Sequence, residues 1–104
     1  MKAAAFRRLA LSFPDTEERS HMDHPDFRVA GKIFATLTHD ESLGMVKLTP
    51  DQQEVFVHDD PKVFEPVNGA WGLKGATHIR LSAATKEMLQ NALLAAWKNN
   101  APKC

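Results

Sequence analysis

Cysteine is nearly absent from this chain of 104 residues: the sequence has a single one, Cys104, at its last position. A disulfide needs two cysteines and a cysteine-based zinc site needs several, so neither can form within one chain. Nothing in the sequence therefore points to an oxidising compartment. Cys104 also follows Pro102 on what we expect to be a frayed tail, where it makes a poor nucleophile.

Long apolar runs are also missing. The opening stretch "MKAAAFRRLALSF" starts like a signal peptide, but Arg7 and Arg8 interrupt it. A signal peptide needs about 7–15 uninterrupted apolar residues, and a membrane-spanning helix needs about 18. The sequence therefore predicts a cytoplasmic protein that does not interact with a membrane.

The chain has no net charge, since 13 basic residues balance 13 acidic ones. Strong non-specific binding to nucleic acid depends on the number of phosphates neutralised, and a neutral total argues against it. The charges are unevenly placed, however. Residues 1–65 hold 8 basic and 12 acidic residues, a net −4, and residues 66–104 hold 5 basic and 1 acidic, a net +4. This asymmetry indicates either a local basic surface or chance scatter in a small protein.

Catalytic motifs are lacking as well. A nucleophile needs a base within hydrogen-bond reach, and none of the serines lies in a G-x-S-x-G elbow. The neighbouring carboxylates Glu17 and Glu18, and likewise Asp59 and Asp60, are adjacent in sequence and are expected to be solvated. We therefore predict a non-enzymatic protein without a cofactor.

Two histidines, His21 and His24, are spaced three apart in "HMDH" with Asp23 and Asp26 nearby. A closed zinc site wants four convergent ligands, and no second pair of ligands is evident. In an extended chain this spacing also turns the two rings to opposite sides. We predict a polar surface loop here, and a metal or small-ligand site is the weakest of the functional alternatives.

Hydrophobic periodicity predicts the element order α-β-β-β-α-β-β-α in one domain that covers residues 1–104. Residues 3–12 form the first helix, and residues 15–25 are a loop or an irregular first strand. Thr49 and Gln52 make a capping box for the second helix, and Thr85 caps the last one. The buried stripe of the last helix is predicted to be Leu89, Ala92, Leu93, Ala96 and Trp97. Three helices and a largely antiparallel sheet give a two-layer α+β fold.

Alternation along the strands separates two sheet faces. If one apolar set faces the helices, the opposite face forms a mildly basic platform with one aromatic ring on it. Arg28 depends on the turn at residues 30–32 for its place on this face. The predicted members of the platform are Arg28, Phe34, Thr36, Met45, Lys47, His78 and Arg80.

A glycine-rich stretch, "NGAWGLKGATHIRL", has the glycine content of a phosphate-binding loop. Such a loop needs a helix directly after it, so that aligned N–H groups meet the anion, and here a strand follows. The stretch is therefore predicted to be a winding connection that places Trp71 and Lys74 beside the basic edge of the sheet. Trp71 either plugs the core or forms a platform for a ligand, and we expect the plug because large rings are mostly buried.

Four stretches, "HPDFRVAGKIFATL", "KLTPDQQEVF", "VFEPVNGAWGLKGATHIRL" and "LLAAW", resemble the MmcQ/YjbR family over roughly residues 6–98. The resemblance implies a curved antiparallel sheet, similar to secretion-chaperone-like and frataxin-like shapes. It also implies DNA binding through a "double-wing" shape, with no established catalytic residues. The positions that carry it here are His24, Pro25, Phe27, Arg28, Gly31, Lys32, Trp71 and Gly72.

Three functions follow from these observations. The first is a DNA-binding or regulatory domain that contacts phosphates and bases. The second is a protein- or peptide-binding module that uses the open sheet face or an edge strand. The third is a small-ligand-binding protein. The candidate nucleic-acid-binding residues are Arg28, Lys32, Lys47, Trp71, Lys74, His78 and Arg80.

Overall fold

Four helices and six strands make up the part of the chain that the computed structural model describes, residues 2–21, 24–38 and 40–102. The two-layer α+β fold is confirmed, with two elements more than predicted. An additional strand lies in residues 15–25, and a one-turn helix lies in the glycine-rich stretch. The elements are α1 (Ala3–Leu11), β1 (Thr16–His21), β2 (His24–Val29), β3 (Lys32–Leu37), β4 (Leu43–Lys47), α2 (Pro50–Asp59), β5 (Phe64–Pro66), α3 (Ala70–Leu73), β6 (Ala76–Arg80) and α4 (Lys86–Asn100).

All six strands join one antiparallel sheet in the order β1-β2-β3-β4-β6-β5. The late strand β6 therefore lies between β4 and β5. The predicted turn between β2 and β3 consists of Ala30 and Gly31, with φ of 52° and 79°. Two successive left-handed residues suit the two-residue hairpin turn that matches strand twist.

Helices α1 and α4 cover one face of the sheet and close the core. Phe6 of α1 and Leu89 and Leu93 of α4 are fully buried against the strands. The rings of Phe6 and Phe27 lie 5.7 Å apart, within the range of favourable aromatic pairs. Of the predicted buried stripe on α4, only Trp97 stays half-buried. In the described residues no helix combines the length and apolar character needed to cross a membrane.

The predicted helix caps are confirmed. Thr49 Oγ1 accepts a hydrogen bond from the backbone N–H of Gln52 at 3.2 Å, and Gln52 Oε1 accepts one from the N–H of Thr49 at 3.0 Å. Thr85 Oγ1 accepts from the N–H of Met88 at 3.2 Å. Each of these bonds satisfies a backbone donor that the first helical turn leaves unpaired.

A β-bulge at Phe34 changes the alternation of β3. Phe27 pairs with Ala35 and Arg28 pairs with Ile33, so Phe34 has no partner on β2. Phe34 and Ala35 both point into the core and are fully buried. The prediction that Phe34 lies on the open face is therefore wrong, because an extra residue in a strand shifts the parity of everything before it. Ile33 takes its place on that face.

The predicted polar loop around His21 falls partly outside the described residues. Residues 22 and 23, and the His21 side chain, are not among them. The backbones of His21 and His24 are partners across β1 and β2, so the two residues do not lie on one extended strand. The described residues contain no group of three His, Cys, Asp or Glu side chains placed to hold a metal ion.

Candidate ligand-binding recess on the open sheet face

The open face of the sheet, turned away from α1 and α4, carries a concave recess of about 320 Å³. We call it the Trp71 recess, because the exposed ring of Trp71 forms one wall. Its volume lies at the small end of the range of ligand sites, about 300–1,000 Å³. The apolar lining consists of Ile33, Met45, Val67 and Ala76.

The floor of the recess comes from neighbouring residues on three strands. Met45 pairs with Thr36 on one side and with His78 on the other. Directly paired residues stand about 4.5–5.5 Å apart at Cβ, so these side chains form a continuous row. Thr36 and His78 thus place two polar groups on an otherwise apolar floor.

Trp71 is positioned by the short helix α3. Gly72 is buried, and a Cβ at this position would overlap the carbonyl oxygen of Val67. Gln53 Nε2 donates to the carbonyl oxygens of Gly72 and Ala76, both at 2.9 Å. These contacts hold the backbone of α3 close to its neighbours.

The prediction that Trp71 plugs the core is wrong, since 62% of its surface is exposed. The reason lies in the neighbouring glycine: Gly72 takes the inner position of α3, where there is no room for a side chain. The large ring at the preceding position consequently lies beside the open face of the sheet and not under it.

Lys47 supplies the positive charge of the recess. Its Nζ lies 5.3 Å from the centroid of the Trp71 ring. A lysine over an aromatic face at this distance makes a cation–π contact worth about 0.5–1 kcal/mol at exposed sites. Within the described part of the chain Lys47 forms no ion pair, so its ammonium group is available to an anionic ligand.

Arg28 lies on the open face, but a carboxylate already binds it. Its Nε and Nη2 donate to the two oxygens of Asp26 at 2.9 and 3.2 Å. This hydrogen-bonded contact raises the pKa of the Arg28 guanidinium, and the charges of Asp26 and Glu17 add to the effect. A fork-like pair of this kind leaves the arginine little capacity for a phosphate.

Arg80 is occupied in the same way at the other end of the face. Its Nη2 donates to Glu65 Oε2 at 2.7 Å, and its Nη1 donates to the carbonyl oxygen of Lys62 at 3.2 Å. The predicted basic platform is thus balanced by acidic side chains: Asp26 lies two residues before Arg28 on β2, and Glu65 lies on the strand next to that of Arg80.

Of the seven predicted site residues, the structure brings Lys47, Trp71 and His78 together in the recess. Lys32 and Lys74 are exposed and do not line it. The sequence did not indicate Val67 and Ala76, which lie on either side of α3. It also did not indicate Ile33, because the bulge at Phe34 changes the sheet face on which Ile33 lies. The opposite-charge partners Asp26 and Glu65 were also missed. Asp26 lies two residues before Arg28, in a part of β2 that was not predicted as strand, and Glu65 is recognisable only once β5 and β6 are in register.

Comparison with known proteins identifies relatives of the fold. A family model described as YjbR matches residues 11–99. A crystal structure of the Deinococcus radiodurans protein DR2400, which has a DUF419 domain, superposes with a TM-score of 0.76 at 17% sequence identity. The similarity covers 92% of this chain and 75% of that one, and at this identity it shows a shared fold alone. No curated protein matches the sequence.

Proposed function

As the chain belongs to the YjbR family, we propose that it is a small non-enzymatic domain that binds single-stranded DNA in the cytoplasm by stacking an unpaired base in the Trp71 recess. The observation that carries the proposal is the exposed Trp71 ring beside Lys47 at the wall of an apolar recess. The MmcQ/YjbR resemblance, which implies DNA binding, points the same way.

The chemistry of the recess suits a base with its phosphate. A base stacks on an exposed aromatic side chain with about 1–3 kcal/mol, whatever its sequence. Thr36 and His78 offer hydrogen bonds to the edge of the base, and Lys47 offers its ammonium group to the phosphate. The apolar floor excludes water from the stacked ring.

An unpaired base is a better match than duplex DNA. Duplex binding draws most of its affinity from phosphate contacts, and Arg28 and Arg80, the predicted arginines of the open face, already bind carboxylates. A base held inside a duplex also cannot enter a recess without being flipped out of the stack, which costs a few kcal/mol.

The test is fluorescence anisotropy with a labelled oligothymidine and the matching duplex. We expect Trp71→Ala to weaken single-strand binding by about 5- to 150-fold, the equivalent of the stacking energy. Trp71→Phe keeps a ring and should retain much of the affinity. Leu73→Ala is the matched control, because Leu73 is exposed on the same helix and does not line the recess. Equal affinity of wild type and Trp71→Ala would contradict the proposal.

A peptide-binding module is the second candidate, and one observation favours it. Leu73 and Trp71 expose 83% and 62% of their surfaces on a single helical turn, an apolar pair typical of protein contacts. A partner protein held at this pair would be recovered stoichiometrically in a pull-down, and Leu73→Ala would weaken its binding. Leu73→Ala would then weaken binding of the partner protein without weakening any binding of DNA.

A further inference from the structure

We infer that the Trp71 recess takes a single nucleotide, one base with one phosphate, and that the sheet gives the neighbouring nucleotides of a strand no binding track. This inference rests on the proposed function and narrows it. Proteins that follow a single strand without sequence preference combine several stacking platforms with a continuous basic groove. Among the described residues that line the recess, Trp71 is the one exposed aromatic ring and Lys47 is the one lysine or arginine.

The capacity of the recess fits one base. Its volume of about 320 Å³ is bounded by a single aromatic wall, Trp71, and by the row of Thr36, Met45 and His78 below it. Trp97, the second tryptophan, is on the helical side and stacks on Phe13 at 6.1 Å. Trp71 is the one exposed Phe or Trp ring among the described residues, so a second base finds no second stacking platform there.

The row that forms the floor continues outward through a carboxylate on each side. Thr36 pairs with Asp26 on β2, and His78 pairs with Glu65 on the edge strand β5. Beyond Asp26 the row reaches Arg19 on β1, whose Nε already donates to Glu17 Oε1 at 3.0 Å. Neighbouring strands are about 4.8 Å apart, so each carboxylate lies roughly 10 Å from the centre of the row at Met45. A phosphate of a neighbouring nucleotide that ran along this row would meet the Arg28–Asp26 pair on one side and the Arg80–Glu65 pair on the other, and in both pairs the guanidinium already binds a carboxylate.

Lys47 is therefore the single charge partner in the recess. Among the described residues that line it, Lys47 alone is a lysine or arginine. Arg28 and Arg80 could become phosphate ligands only by leaving Asp26 and Glu65. An ion-paired arginine that must first be released adds little to affinity, because the lost contact offsets the new one.

The length of the ligand provides the first measurement. Quenching of tryptophan fluorescence would be followed with thymidine monophosphate and with oligothymidines of two, four and eight nucleotides. We expect the affinities for these four ligands, each expressed per binding site, to agree within about threefold. For the octamer, raising salt from about 50 to 200 mM should weaken binding only about 2.5-fold, as for one neutralised phosphate, whereas four would give about 50-fold. The octamer is prepared without a terminal phosphate. If thymidine monophosphate binds more tightly than this octamer, the ligand is a free nucleotide or the phosphorylated end of a strand.

A charge variant provides the second measurement. Glu65→Gln releases Arg80 on the surface, so it should add a phosphate contact for the octamer and none for the monophosphate. We expect the octamer to gain about two- to tenfold in affinity and a steeper salt dependence. The control is Glu54→Gln, which removes the same charge from an exposed position of α2 outside the recess. Unchanged octamer binding in Glu65→Gln would contradict the inference.

The outcomes separate the inference from the function it rests on. If affinity rises steeply with length in the wild type, with a salt dependence of several phosphates, DNA binding stands and the single-nucleotide site is overturned. If neither the monophosphate nor any oligomer quenches the fluorescence, both are overturned, and the peptide-binding module takes their place.

Discussion

Asp26 keeps only 2% of its surface exposed and forms an ion pair with Arg28. A buried carboxylate is costly unless it is paired and hydrogen-bonded, and Arg28 meets both needs with two bonds. At the scale of single residues, the two bonds hold the guanidinium of Arg28 against Asp26. The same contact is what removes Arg28 from the candidate DNA-binding set.

Replacing Asp26 with asparagine should lower the free energy of unfolding by about 1–3 kcal/mol, because the guanidinium loses a charged partner and faces amide hydrogens. Urea denaturation measures this difference. Glu17→Gln serves as the control, since Glu17 lies near Arg28 but is exposed, and its effect should stay within about 0.5 kcal/mol. Similar decreases in the free energy of unfolding of the two variants would show that the buried pair of Asp26 and Arg28 stabilises the fold no more than an exposed charge does.

The surroundings of Asp40 lower the pKa of its carboxyl group. Its carboxylate accepts hydrogen bonds from the backbone N–H of Ser42 at 3.1 Å and from the hydroxyls of Ser42 and Thr38, both at 2.8 Å. The backbone bond from Ser42 is the largest cause, and together these donors lower the pKa of Asp40 from 3.8 to about 2. They stabilise the turn between β3 and β4 only while the carboxylate is ionised.

The pH dependence follows from the direction of this shift. A group whose pKa is lower in the folded state stabilises the fold above its ordinary pKa, and this stabilisation is lost as the pH falls through the lowered one. We expect the melting temperature of the wild type to fall more steeply between about pH 4 and pH 2 than that of Asp40→Asn. Parallel curves for the two proteins would refute this role of the turn.

At the scale of elements, α3 shows how a helix of four residues can be held in place. Its inner position, Gly72, touches the carbonyl oxygen of Val67, and Gln53 of α2 binds its backbone. Most short helices are marginal by themselves, so α3 depends on these contacts. The orientation of Trp71 depends on them in turn.

Gly72→Ala should therefore displace α3 and weaken ligand binding in the recess by at least tenfold, the equivalent of about 1.4 kcal/mol. Oligothymidine titration gives the affinity, and urea denaturation gives the stability. Gly31→Ala is a matched control: its φ of 79° makes alanine unfavourable by about 1–2 kcal/mol, but it has open space around it and lies in the turn between β2 and β3, outside the recess lining. It should lose stability and keep its affinity. Equal binding by the two variants would contradict the role of Gly72.

The sequence predicted some elements well for physical reasons that act locally. The caps at Thr49 and Thr85 depend on residues three positions away, and the stripe on α4 depends on spacing alone. The polar segment of β1 lacks the alternation that marks a strand, since an edge strand is often charged to discourage further pairing. The single turn of α3 is shorter than any periodic signal.

At the scale of the whole molecule, the fold brings a charge of the acidic part of the chain beside one of the basic part. The acidic residues 1–65 and the basic residues 66–104 are separate in sequence. Strand β6 inserts between β4 and β5, which places Arg80 beside Glu65. The pairing of Arg80 with Glu65 is thus a property of topology, whereas Arg28 pairs with Asp26 of its own strand. The sequence predicted Lys47, Trp71 and His78 as site residues because each offers its own side chain to a ligand, but it did not predict which charges the fold brings together.

The bulge at Phe34 also decides how this chain can be aligned with distant relatives. Residues before and after it follow opposite parity, so a gapless alignment to a strand without the bulge assigns Ile33 to the core and Phe34 to the surface. Similarity scores between hydrophobic residues would not expose the error. A one-residue gap at Phe34 restores the correspondence, and any transfer of recess residues between members of the fold depends on where that gap is placed.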